Sequence, residues 1–172
     1  MTFHPISASV CEVQTMACYW QEHWRAEQVR LSADPATFQL GHNEHFPNTG
    51  VTHNIGNGDI TFYVDGKTHR EDGPAVIHKT GDTVCWLLDG MLSRGGNKPA
   101  VWRSDGRLDW YWEGKVHRDD GPCYERFVEV VDAELYMIHG KRCERAAFEL
   151  YYMMKYGKVY KVPGPYTEAY PL

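Results

Sequence analysis

Two short runs of nearly the same chemistry, HREDGP at residues 69–74 and HRDDGP at residues 117–122, each place a histidine three positions ahead of an aspartate. An imidazole beside a carboxylate is an acid-base couple in which the carboxylate fixes the ring tautomer, so His69 with Asp72 and His117 with Asp120 are the candidate catalytic pairs. The same residues also have a purely structural reading. In it the aspartate caps its own turn, Gly73 and Gly121 supply backbone freedom, and His and Arg pack over aromatic rings of the neighbouring hairpin. Two copies on successive units would stack along one edge of a sheet, which suits a ladder better than a single pocket, and the structural reading is preferred.

A second candidate is the segment HNEHFPNTGVTHNIGNG, residues 42–58, where His42, His45 and His53, with Glu44 between the first two, could ligate zinc or a similar divalent ion. On a loop that spacing is far less specific than H-E-x-x-H on a helix, and no Asp or Cys completes a recognisable set. A surface loop that contains histidines is the preferred reading, and zinc is the one cofactor that the chain suggests. Five cysteines, an odd number with no C-x-x-C pair, point to buried reduced thiols. No phosphate-binding loop, nucleophile elbow or dinucleotide fingerprint occurs.

These residues must be held by elements, and the strongest pattern is a repeat. FYVDGK, WLLDGM, WYWEGK and YMIHGK end on Gly66, Gly90, Gly114 and Gly140 or just beyond them, spaced by 24, 24 and 26 residues. Two and four residues before each glycine stand Val64 and Phe62, Leu88 and Trp86, Trp112 and Trp110, Ile138 and Tyr136. That is the period of a strand with one apolar face, followed each time by a two-residue hairpin turn. The middle copy reads SRGGNKPA where the others read HR-x-DGP, so it keeps Pro99 and Ala100 and loses the histidine and both acids.

Flanking elements follow from the helical period. Val10, Val13, Ala17, Trp20 and Trp24 draw one stripe along a helix over residues 9–31, opened by a Ser9/Glu12 capping box. Asp34-Pro35 predicts a second short helix closed by Gly41, and residues 42–58 a loop. Ala147, Leu150, Tyr151 and Met154 predict a helix over residues 143–156, stopped at Gly157, that covers the last strand, with an extended tail after it. The expected fold is α+β: a long N-terminal helix with a His-rich loop (1–58), an antiparallel β-meander of three to four hairpin repeats (59–141), and a capping helix with its tail (142–172).

The aromatic strand, the x-Gly turn, the spaced His and the Gly-containing turn resemble MORN repeats. The wording G-K-x-H-R-x-D-G-P-A in particular resembles a divergent MORN-like repeat of tailed-phage and giant-virus proteins. The match spans about residues 60–150. Arg70 and Arg118 stand where the usual pattern has glycine after the histidine, so lipid-binding roles of that family do not carry over. What the resemblance implies is an elongated hairpin scaffold with a protein-binding surface and a virus-like origin.

The net charge of −5 argues against a generic grip on nucleic acid. The first twenty residues lack a basic region followed by an apolar one, and nowhere do eighteen apolar residues run together, so a cytoplasmic protein that does not enter membranes is expected. A single-layer sheet has two faces. Aromatics left on the face away from the N-terminal helix would mark an interface, with Tyr63 and Tyr111 at the equivalent position in two hairpins. The residues offered for binding are Tyr63, Arg70, Trp86, Arg94, Trp110, Tyr111, Trp112 and Arg118. The expected function is a non-enzymatic interaction module that binds a host or phage protein, such as a component of host defence. A metal-dependent or His-Asp hydrolase is one alternative. The other is a nucleotide-binding sponge with a pocket between sheet and N-terminal helix, gripping its ligand through Arg70, Arg94 or Arg118. An exposed edge strand would permit a homodimer.

Overall fold

The computed structural model describes residues 10–32, 38–41, 50–54, 58–126 and 135–161. The Ser9/Glu12 capping box, Asp34-Pro35, His42 and His45 lie outside the described side chains, as does the tail from residue 162 onward. The apolar stripe forms the expected helix, α1 (Val10–Ser32). No helix among the described residues is long and apolar enough to cross a membrane.

The second short helix expected to end at Gly41 does not extend over residues 38–41. Phe38–Gly41 is instead strand β1, paired in parallel with β2 (Gly50–Asn54), so His53 belongs to a strand and not to a loop. The β-favouring Phe38 and Leu40 alternate with polar Gln39, and pairing with β2 outweighs the helical expectation for these residues.

From there the chain meanders. β2 pairs antiparallel with β3 (Ile60–Val64), which carries β4 (Lys67–Thr68) at its tip and β5 (Val76–Ile77) at its base. The sheet continues through β6 (Thr83–Cys85), β9 (Val101–Arg103), β10 (Arg107–Asp109) and β13 (Tyr124–Arg126), each antiparallel to its neighbour. Three separate ribbons project from it: β7 (Leu87–Leu88) with β8 (Met91–Leu92), β11 (Tyr111–Trp112) with β12 (Lys115–Val116), and β14 (Tyr136–Ile138) with β15 (Lys141–Cys143).

In two repeats the strand is interrupted at the aromatic residue. Trp86 falls between β6 and β7, and Trp110 between β10 and β11, belonging to neither strand. The cause is a change of partner. The N–H groups of Phe62, Trp86 and Trp110 donate to the carbonyls of Ala75, Ala100 and Cys123, each at 2.9 Å, while their carbonyls accept from His69, Ser93 and His117 of the returning hairpin arm. One side of the aromatic is thus claimed by the sheet and the other by the ribbon. The rings go inward: Phe62, Trp86, Trp110 and Tyr136 are all buried, whereas Val64 and Trp112, two residues on, emerge at the ribbon.

α1 lies across the sheet with Trp20 fully buried among Ile77, Val84, Trp86, Trp102, Leu108 and Trp110. Its ring meets Trp86 edge-on at 5.7 Å and Trp102 at 6.3 Å. Trp24 Nε1 donates to the Gly58 carbonyl and Gln21 Nε2 to that of Thr80, which ties the helix to two loops of the sheet. A second core forms where α2 (Arg145–Tyr156) lays Phe148 against Tyr136 and Tyr160. α2 ends at Gly157, whose φ of 65° lets its N–H reach back to the Met153 carbonyl.

Candidate functional site: the third hairpin, the loop beside it and the cap helix

The four hairpin turns share one geometry. Asp65-Gly66, Asp89-Gly90, Glu113-Gly114 and His139-Gly140 all have positive φ at both positions, 49–50° then 71–80°, which is the type I′ turn that a two-residue connection favours. Each turn from the second onward is caught by the repeat before it. The N–H groups of Gly90, Gly114 and Gly140 donate to the carbonyls of Thr68, Leu92 and Val116 at 2.8–2.9 Å. The N–H groups of Asp89, Glu113 and His139 donate to His69 Nδ1 (3.0 Å), Ser93 Oγ (3.3 Å) and His117 Nδ1 (3.2 Å).

The first residue of the HR-x-DGP motif is therefore an acceptor for the next turn, and serine performs that role in the middle copy. The expected couples of His69 with Asp72 and His117 with Asp120 are not made. Asp72 and Asp120 instead bind the Nε of Arg70 and Arg118, at 2.7 and 2.6 Å. Those bonds hold the Asp72 carboxyl below its ordinary range.

The arginine is the centre of each motif. Its guanidinium lies over the aromatic ring eight residues earlier, Arg70 on Phe62 at 4.0 Å, Arg94 on Trp86 at 3.9 Å and Arg118 on Trp110 at 3.9 Å. The ring belongs to the same repeat and not to the neighbouring hairpin. Nη1 donates to the carbonyl of the motif proline, Pro74, Pro99 or Pro122. Arg70 also reaches Glu27 of α1 at 3.2 Å, a buried carboxylate shared with Arg30. Gly73 does not have positive φ; a Cβ there would come within 2.9 Å of the Arg70 guanidinium carbon, so a side chain would require the arginine to shift.

In the third copy the residue after the arginine, Asp119, gathers the chemistry. It accepts from Tyr151 Oη and Lys155 Nζ, each at 2.6 Å, and His117 Nε2 stands 3.3 Å away. Burial works against the charge of Asp119 and of Lys155, but their mutual bond and the Tyr151 hydroxyl hold the carboxyl below its ordinary range and the ammonium above its own. His117 stacks on His139 with ring centres 4.3 Å apart, and burial, with Lys155 and His139 adding to it, lowers its pKa against the pull of Asp119. Both nitrogens of His117 are engaged within the protein.

Beside this cluster opens a cleft of about 360 Å³ whose walls include the loop 94–98, Trp110, Tyr111, Trp112 and Lys155. The other residues offered for binding are placed differently. Trp86 and Trp110 are core, and Tyr63 is only 8% exposed, not on the open face expected for it. Arg70 and Arg118 are internal struts. Between the sheet and α1, where a nucleotide pocket was expected, Trp20 is fully buried against Trp86 and Trp102. Among the described residues no three His, Cys, Asp or Glu side chains converge as a metal set. Burial pushes the thiols of Cys85 and Cys123 up to about 11 and about 12, far from nucleophilic use near neutrality.

α2 is turned from its expected orientation. Phe148, with Tyr151 and Tyr152, faces the last hairpin, while Ala147, Leu150 and Met154 face outward. Two apolar sets compete for one interface, and the aromatic set, with more area to bury and Lys155 placed to reach Asp119, takes it. Tyr151 and Lys155 were not singled out for this role in the sequence; their signal was the i, i+4 spacing on one helix face. Leu150, Met154 and, beyond the helix, Val159 are left 52, 79 and 78% exposed. No family model, curated protein or solved structure matches the chain.

Proposed function

We infer that this chain is a non-enzymatic protein-interaction module that offers the outer face of α2 to a groove on its partner. The observation that carries the reading is the uncovered set Ala147, Leu150, Met153 and Met154, whose spacing of three, four and seven is that of an amphipathic helix laid into an apolar groove. Methionine suits such a surface because its flexible thioether adapts to the partner. The hairpin ladder serves as a rigid mount, and Asp119 with Tyr151 and Lys155 fixes the helix on it. The resemblance to repeats of phage and giant-virus proteins makes a host protein the partner to seek first.

The test is affinity capture with the full chain and with a Leu150→Asp/Met154→Asp variant whose thermal unfolding matches the wild type. Proteins captured by the wild type and lost from the variant support the reading. Identical captures by the two overturn it.

A further inference from the structure

The loop of the middle copy differs from its siblings in charge as well as in wording. Residues 69–74 and 117–122 each set one arginine against two acids. Residues 93–100, SRGGNKPA, hold Arg94 and Lys98 and no acid at all. Its chain path changes too: the arginine is followed by proline after five residues instead of four, and Gly96 and Asn97 both take positive φ, at 70° and 59°. Asn97 is built in, its carbonyl accepting from Trp110 Nε1 at 2.9 Å and its side-chain oxygen from the Asp119 N–H at 3.3 Å.

This loop forms one wall of the 360 Å³ cleft, which is within the size range of small-ligand sites. Around the cleft stand three cationic side chains, Arg94, Lys98 and Lys155, against the single carboxylate of Asp119. Lys155 spends two of its three N–H donors on Asp119 and Tyr151. The lining also includes Trp110, Tyr111 and Trp112, and Trp112 offers ring surface, being 39% exposed although it sits in a strand. Cations and an accessible indole in the lining of one cleft match a ligand that joins an oxyanion to a planar ring.

We propose that this cleft binds a phosphorylated heteroaromatic ligand of the mononucleotide class, its phosphate facing Arg94, Lys98 and Lys155 and its ring lying on Trp112. The substitution of HR-x-DGP by SRGGNKPA is then a gain of a site and not the loss of one. The outer face of α2 plays no part in this, so the site stands apart from the protein-binding reading.

The experiment is calorimetric titration of the full chain with AMP, GMP, CMP and UMP, with adenosine and inorganic phosphate as the two half-ligands. At least one mononucleotide should bind saturably, and each half-ligand about tenfold or more weaker, a loss of about 1.4 kcal/mol or more. Lys98→Glu, at a half-buried residue, and Trp112→Ala, at an exposed one, both outside the core, should each weaken binding by about tenfold while leaving the free protein folded with a single thermal transition. Raising the salt concentration should weaken the wild type more than Lys98→Glu. The proposal is overturned if no mononucleotide binds at concentrations on the order of 10 mM. It is equally overturned if phosphate alone binds as tightly as the nucleotide, or if both variants bind as the wild type does.

Discussion

His117 accepts the backbone N–H of His139 on Nδ1 at 3.2 Å and stacks on its ring, just as His69 accepts the N–H of Asp89 one repeat earlier. The histidine of each motif is thus a latch for the following turn. Because Ser93 makes the same contact to Glu113, a hydroxyl suffices. His69→Ala should cost about 1–2 kcal/mol, the loss of one hydrogen bond plus a turn N–H left partly unsatisfied, whereas His69→Ser should cost less than half of that. Urea unfolding of the two variants checks this; equal losses would show that ring packing, not acceptance, is what the position supplies.

The latch is sensitive to acid. Burial lowers the pKa of His117 below its ordinary 6.5, with His139 and Lys155 adding to it and Asp119 opposing, and burial lowers that of His23 as well, with Glu27 opposing. A lowered folded-state value means that the unfolded chain takes up the proton first as pH falls. Stability from these groups is therefore complete above about 6.5 and drains away as pH falls through the folded value. Unfolding free energies at about pH 7.5 and about pH 5 should show this decline, and His117→Gln should flatten part of it, leaving the share of His23. An unchanged slope in the variant would remove His117 from the account.

Arg118 is 3% exposed, stacked on Trp110, bonded to Asp120 and to the Pro122 carbonyl. Arg118→Ala uncovers a buried ring and strands a carbonyl, and should cost about 2–4 kcal/mol. Arg118→Lys keeps the charge but cannot form the planar fork, so it should recover only part of that loss. Thermal unfolding distinguishes them: full recovery with lysine would mean that charge alone matters.

The hairpins were legible in the sequence because a turn glycine every 24 to 26 residues follows from local chemistry, and Asp-Gly, Glu-Gly and His-Gly turns depend on little else. The helix stripes were legible as helices, yet the side that α2 buries was not, since Phe148 and Leu150 are equally apolar in a list and only the hollow beside Tyr136 and Tyr160 chooses between them. Strand β1 was missed because its pairing with β2 is non-local. The partners of His69 and His117 were hidden for the same reason, whereas those of Asp72 and Asp120 are local, the arginines two residues before them. Spacing of three suggested a couple, whereas the ligand of each histidine lies 20 or 22 residues on, in the next repeat.

Asp119 gives a direct check on how the cap helix is held. It accepts from Tyr151 and Lys155 at 2.6 Å each, and it is only one-fifth exposed. Asp119→Asn keeps the shape and removes the charge, so it should cost about 1–2 kcal/mol, and combining it with Lys155→Met should cost clearly less than the two single losses together. Hydrogen exchange should quicken in residues 145–156 before it quickens in the sheet. Additive losses, or exchange that rises evenly over the whole protein, would mean that Phe148 alone anchors the helix.

Trp20 and Trp112 set the two ends of a final scale. Trp20 is fully buried, in edge contact with Trp86 and close to Trp102, and it is the largest side chain that α1 presses into the sheet. Trp20→Ala should cost about 3–5 kcal/mol, enough to unfold much of a domain of ordinary stability. Trp112→Ala, at a ribbon that projects from the sheet, should stay within about 0.5 kcal/mol of the wild type. Because both residues are tryptophans in apolar stretches, the contrast rests on position: α1 buries Trp20 completely against the sheet, while Trp112 stays 39% exposed. A large stability loss at Trp112 would show that its ring is structural, and would also weaken the case for a ligand lying on it.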